Sequence, residues 1–343
     1  MKKFASQLHF SDKLPKAESF KSALVIYDKV VARKNPEFRK WVSRFKSAYA
    51  VDAGERLKDF DQFAKHLKKL NLLVSDLSPR SLHVVAVGGG SVGDFAGFFA
   101  SIYKRGVKLS HFPTTYLSAI DSAHGGKTAL NLSGGKNQIG SFYPAEQVWI
   151  VSSLLKSQTE AQLSDARGEL AKIAVIDSKV WKLVSKGSGL ISFNEFVKLM
   201  KPAVEAKMRI VLKDPLEQSG VRQILNLGHT LGHVIESRTG ISHGAAVSQG
   251  LVFALRWSCR RGDLDYNKLE QIEELLSDRF AIRPKPVPLK RNDVEILLRK
   301  DKKRASKDTV NFVLLKALGK PSVEQVEVSD IVNEAGRQGW IKK

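Results

Sequence analysis

The sequence predicts an α/β N-terminal half built on a mostly parallel sheet, followed by a mainly helical C-terminal half. Three observations carry this. Short apolar, β-branched runs alternate with amphipathic segments as far as Ser153. A glycine-rich turn, Gly88-Gly-Gly-Ser91, follows the most apolar of those runs. Beyond Ser153 the apolar period is helical almost throughout.

In chain order, Ala23 to Tyr27 reads as the first strand. Arg33 to Lys46 spaces Phe38, Trp41, Val42 and Phe45 along one helix face. Ala48 to Val51 reads as a second strand, and Leu57 to Leu73 as an amphipathic helix. Leu82 to Val87 is a buried strand, from which the glycine turn leads into a helix starting near Ser91. Val107 to Phe112 and Gln147 to Val151 are further strands. The alternation gives a Rossmann-like domain over residues 1–153 and a helical domain over 154–343. In the second domain, helices are expected over Glu160 to Leu199, Pro202 to Leu212, Arg222 to Arg238, Ala245 to Arg261, Leu269 to Phe280 and Ser329 to Gln338. One β-like segment, Thr309 to Leu315, interrupts them.

Composition narrows the function classes. A hydrophobic fraction of 43% and a charged fraction of 27% belong to an ordinary globular protein. Cys259 is the one cysteine, so no disulfide framework is expected. No apolar stretch reaches membrane-spanning length and the N-terminus lacks a secretory pattern, so a cytoplasmic protein is expected. The net charge of +21 is spread along the chain without interleaved stacking aromatics. That distribution suits a small anionic substrate better than nucleic acid.

The candidate chemistry lies in two places. From Gly88 to Pro144 the chain carries GGGSVGD, PTT, DS-x-x-GGKT and GKN-x-x-G-x-FY. Glycines after a strand let a ligand approach the backbone, and a helix N-terminus there suits pyrophosphate. In the second half, Arg222, Asn226, His229 and His233 are spaced as one stripe of a helix. Glu169 and Lys172 lie three apart on another, and His243 follows in Ser242-His-Gly244. A carboxylate with two imidazoles from separate elements makes an open site for a zinc-like ion.

Together these motifs resemble the 3-dehydroquinate synthase family of the sugar-phosphate cyclase superfamily, from about Leu24 to Lys320. The resemblance implies NAD contacts from Gly89, Gly90, Asp94, Thr114, Thr115, Leu117, Asp121, Ser122 and Lys136. It places Glu55 and Lys58 at the adenosine end, with Asp28 beside them. It makes Glu169, His229 and His243 the ligands of one divalent ion, zinc or cobalt. It puts Lys127, Asn137, Lys172, Lys207, Arg222, Asn226, His233 and Lys302 around the substrate. Arg105 would reach the substrate phosphate from a neighbouring subunit, which implies a homodimer.

The implied reaction turns a seven-carbon keto acid phosphate into a carbocycle, with transient oxidation by NAD, loss of phosphate, reduction and an aldol closure. Several positions depart from the family pattern. Ala245 stands where a glutamate usually follows His-Gly, which predicts a less firmly held His243. His124 replaces a β-branched residue before Gly-Gly-Lys-Thr. The Lys207-to-Arg222 segment is longer by a residue, so that strict spacing would put Met208 in the place of Lys207, and the His233-to-His243 segment is shorter. Alternatives are another sugar-phosphate cyclase whose substrate lacks a carboxylate, an NAD- and metal-dependent polyol dehydrogenase, or a degenerate binding protein. Arg222 and Asn226 favour the carboxylated substrate.

Overall fold

The computed structural model describes residues 4–300 and 308–342, so Lys302 lies outside the described residues. The chain forms two compact units, Met1–Gln162 and Leu163–Lys343.

The first unit contains β1 (Gln7–Ser11), β2 (Ala23–Asp28), α1 (Lys29–Lys34), α2 (Pro36–Val42), β3 (Ser47–Val51), α3 (Phe60–Val74), β4 (His83–Gly88), α4 (Gly90–Ile102), β5 (Lys108–Pro113), β6 (Lys127–Leu132), β7 (Gly135–Phe142), β8 (Gln147–Val151) and α5 (Ser152–Leu155). Six strands form one sheet in the order β1-β8-β5-β4-β2-β3, and every pairing in it is parallel. Its inner strands read as near-continuous apolar runs because both faces are covered. Leu24, Val25, Ile26, Val84, Val85 and Val87 are fully buried. Phe20, Phe38, Trp41 and Phe112 pack edge-on and tilted beside them.

Two sequence expectations change here, and two of the motifs gain a place in the fold. The sheet gains β1, whose half-exposed QLHFS gives no clear apolar run because it lies on the sheet edge. Residues 33–46 are not one helix. Asn35 ends α1 and caps α2 by accepting the Phe38 N–H at 2.9 Å, and Pro36 then opens α2. The GGKT and GKN motifs lie on an antiparallel hairpin, β6–β7, outside the main sheet.

From β2 the chain steps to β3 on one side, then returns to β4 and continues on the other. The reversal falls between β2 and β4, and the crevice beyond their carboxyl ends is where open α/β sheets bind ligands. Asp28 and Gly88 are the last residues of those two strands.

The second unit holds α6 (Glu160–Ile176), in whose first turn the unit boundary falls, then α7 (Ser178–Val184), α8 (Phe193–Val211), α9 (His229–Thr239), α10 (His243–Arg260), α11 (Tyr266–Phe280), α12 (Arg291–Lys300), β9 (Thr309–Ala317), β10 (Lys320–Glu327) and α13 (Val328–Arg337). The predicted β segment pairs with β10 as an antiparallel hairpin. The continuous helix expected over 222–238 is broken. Val221–Asn226 is a 3-10 turn, Leu227 is extended, and Gly228 is left-handed at φ +81°. Backbone atoms of Leu251 and Val247 would lie 2.7 and 2.8 Å from a Cβ at Gly228, so this corner has no room for a side chain. No helix among the described residues is long and apolar enough to cross a membrane.

Candidate functional site

In the first unit, the expected cofactor residues gather at the carboxyl ends of β4 and β5. Gly88 pairs with Pro113, and Gly88 O accepts the Thr114 N–H at 3.0 Å. Gly89 caps α4, and a Cβ on it would lie 3.0 Å from Thr115 Cγ2. A Cβ on Gly90 would lie 3.1 Å from Ser122 Oγ. The first N–H groups of α4 have no partner within their own helix and face this bare cradle, a fit for pyrophosphate. Leu117 leads into a π-helical turn, Ser118–Ser122, that contains Asp121 and Ser122. Such turns often occur at functional sites. His124 is buried and donates from Nε2 to Ala119 O at 2.8 Å, so the departure at this position ties down the same turn. Asp28 caps α1 by accepting the Val30 N–H at 2.9 Å, and burial raises its carboxyl above the ordinary range.

Lys58 joins several predicted residues. Its buried Nζ lies 2.7 Å from Asp94 and 3.6 Å from Glu55, and donates to Asn137 Oδ1 at 2.5 Å. Asn131, which the sequence reading missed, completes the group. Its Nδ2 donates to Glu55 Oε1 and its Oδ1 accepts the Asn137 N–H, both at 2.9 Å. This contact holds Asn137 at φ +54° on β7. Lys127 opens β6 and Lys136 lies on β7, both exposed. Arg105 is exposed on a turn in which both Lys104 and Arg105 have positive φ.

In the second unit, Glu169 from α6, His229 from α9 and His243 from α10 present ligand atoms that all lie within 4.8 Å of one another. Glu169 Oε1 is 3.3 Å from His229 Nε2 and 3.5 Å from His243 Nε2. Its other oxygen meets Lys172 Nζ, one turn along the same helix. Each imidazole is oriented through its far nitrogen. His229 Nδ1 donates to Leu227 O at 3.3 Å, and His243 Nδ1 to Glu236 Oε2 at 3.0 Å. Both Nε2 lone pairs are thereby left for an ion. Glu236 was missed by the sequence reading, and it revises the expectation at Ala245, because His243 keeps a carboxylate neighbour.

The helices cross where glycines permit it. A Cβ on Gly244 would lie 1.8 Å from Asp165 O, and one on Gly168 would lie 2.4 Å from Gly244 O, so α6 and α10 touch through backbone. Gly250 would similarly meet Gly228 O at 1.9 Å, closing α9 on α10. Burial of Glu169 opposes its charge, but Lys172 and His229 more than offset this and hold the carboxyl well below its usual range. His243 is lowered by burial, yet Glu169 and Glu236 raise it to about 10. The carboxylates that favour a proton on His243 would equally favour a divalent cation, which would compete with that proton for Nε2.

His233 follows His229 by one turn, its ring centroid 5.3 Å from that of His229 and 6.0 Å from that of His243. Lys207 and Met208 are both buried in α8. Asn226 ends the 3-10 turn, half-buried. Arg222, four residues earlier, is buried, with Nη1 donating to Pro215 O at 3.1 Å and Nε 3.7 Å from Glu217. Asp214 fixes this segment by accepting the N–H groups of Gln218, Ser219 and Arg222. Because of the break at Gly228, Arg222 and Asn226 do not continue the α9 stripe.

Comparison with known proteins identifies the family. The 3-dehydroquinate synthase N-terminal model matches residues 48–165, and the corresponding C-terminal model matches residues 166–304. The chain belongs to the 3-dehydroquinate synthase family. Among relatives, the 3-dehydroquinate synthase of Methylacidiphilum infernorum is 36% identical over 282 residues, covering 80% of this chain and 75% of the relative. That of Endomicrobium trichonymphae is 31% identical over 343 residues, covering 96% and 92%. A solved 2-deoxy-scyllo-inosose synthase, complexed with carbaglucose-6-phosphate, NAD+ and Co2+, shares the fold. Its TM-score is 0.82 at 24% identity, with 97% and 96% of the two chains covered. The expected family and its two-part fold therefore hold for this chain.

Proposed function

We propose that this member of the 3-dehydroquinate synthase family converts 3-deoxy-D-arabino-heptulosonate 7-phosphate to 3-dehydroquinate and phosphate. The observation that carries the reading is the convergence of Glu169, His229 and His243 beside Lys172. With NAD in the glycine cradle and a divalent ion, zinc or cobalt, held by Glu169, His229 and His243, the cofactor would supply reversible hydride transfer and the ion would supply Lewis acidity.

The residues divide the remaining work. Gly89 and Gly90 admit the pyrophosphate, while Lys58, Glu55 and Asp94 hold the nucleotide, joined by Asp28, Thr114, Thr115, Leu117, Asp121, Ser122 and Lys136. Glu169, His229 and His243 hold the ion, and Lys172 balances the buried carboxylate. Lys127, Lys207, Arg222 and Lys302 neutralise the substrate's carboxylate and phosphate, with Asn137, Asn226 and His233 as further hydrogen-bonding partners. Arg105 completes the phosphate site of a second copy in a homodimer. Holding one substrate in register through successive steps is positioning work, and fixed side chains do it cheaply.

The test is incubation with the keto acid phosphate, NAD and zinc or cobalt. Phosphate release with formation of 3-dehydroquinate, and no net NADH, is expected. Net NADH without phosphate release would favour a polyol dehydrogenase.

A further inference from the structure

Ala245, two residues after His243, offers it no carboxylate, so the groups that fix this residue come from elsewhere in the chain. His243 is the first residue of α10, and it has only a short loop before it. The preceding Ser242 makes no side-chain cap. The first N–H groups of the helix therefore need an acceptor from elsewhere. Asp165 supplies it: its Oδ1 accepts the Gly244 N–H at 2.6 Å and the Ala245 N–H at 3.3 Å. A carboxylate is well suited to a helix N-terminus.

The origin of that carboxylate matters. Asp165 lies on α6, four residues before Glu169 and so on the same face. It sits at the crossing where Gly244 has no space for a Cβ against the Asp165 backbone. One residue thus ties the helix that carries the carboxylate ligand to the start of the helix that carries an imidazole ligand. The His243 ring is then aligned through Nδ1 by Glu236, from the helix that carries the other imidazole. The two acids act on different parts of His243, its backbone and its ring, and reach it from the two neighbouring ligand helices.

We infer that Asp165 and Glu236 are positioning residues for His243. The inference rests on the metal reading given above, and the experiment separates the two. Zinc affinity is measured by chelator competition, and site geometry by the visible absorption of the cobalt-substituted protein. The proteins compared are the wild type, Asp165→Ala, Asp165→Asn, Glu236→Ala, Glu236→Gln and His243→Ala. The alanine variants at 165 and 236 should each lose about 10- to 100-fold in zinc affinity and shift the cobalt bands. The amide variants should fall between them and the wild type, while NAD affinity stays unchanged. A purely structural role would lower the melting temperature without moving the cobalt bands. If the 165 and 236 variants keep wild-type affinity and bands while His243→Ala loses the ion, the inference is overturned and the metal site stands. If His243→Ala binds zinc like the wild type, the metal reading fails, and the inference with it.

Discussion

At the scale of single residues, Lys58 and Arg222 show two different uses of a buried cation. Lys58 lies between Asp94, Glu55 and Asn137, so removing it strands carboxylates that it neutralises. Lys58→Ala should weaken NAD binding by about tenfold or more and cost about 1–3 kcal/mol of stability. Zinc affinity should not change. Calorimetry with NAD and with zinc checks both halves, and wild-type NAD affinity would remove Lys58 from the cofactor group. Arg222, by contrast, is proposed to hold the substrate carboxylate, which would distinguish that substrate from a sugar phosphate lacking one. A planar guanidinium matches a carboxylate, and a substrate lacking one forgoes that added pairing. Arg222→Ala should lower kcat/KM for the keto acid phosphate by about a hundredfold and leave NAD affinity intact. Turnover equal to that of the wild type would mean that the carboxylate is held elsewhere.

At the scale of elements, the proposed metal ligands are brought together by backbone crossings. Gly250→Ala would put a Cβ 1.9 Å from Gly228 O, forcing α9 away from α10 and His229 away from His243. A loss of about 1–3 kcal/mol or more is expected in denaturant unfolding, together with lower zinc content. Gly336 in α13 is the control, because a Cβ there meets nothing within 4 Å, and Gly336→Ala should be neutral or stabilising. Equal behaviour of the two variants would show that the crossing does not set the ligands. The same distinction explains what was legible in the sequence. The runs at Leu82 to Val87 and Gln147 to Val151 announce strands because buried parallel strands must be apolar on both faces. The break at Gly228 was not legible, since residue spacing reports a stripe whether or not one glycine turns left-handed. Glu169, His229 and His243 could be recognised by motif. Asp165, Glu236 and Asn131 could not, because each acts through a fold contact with a residue several to many positions away. The hairpin β6–β7 was hidden by its own glycines and polar residues, which give no apolar run.

At the scale of the whole molecule, charge and buried histidines act together as pH falls. His111 on β5 is buried and His83 on the adjacent β4 is half-buried. Burial lowers each from 6.5 to about 4, helped at His83 by Lys108. The folded protein therefore keeps these rings neutral where the unfolded chain protonates them. Their contribution is intact above 6.5, declines as pH falls from 6.5 towards 4, and levels off below that. A fall from 6.5 to about 4 corresponds to on the order of 3 kcal/mol for each ring. The net charge of +21 adds a second, less local effect, because each further proton increases self-repulsion. Salt distinguishes the two, since it screens exposed charges far better than it relieves the burial of a ring. Thermal melts should therefore drop below about pH 6.5, and salt should restore only part of the loss. His111→Gln removes one titrating ring from the buried sheet, so it should flatten the pH dependence even if it lowers stability at neutral pH. A melting temperature that stays level from about pH 7.5 to pH 5 would contradict this account. So would a variant that keeps the full wild-type slope, because the lost stability would then come from general repulsion alone.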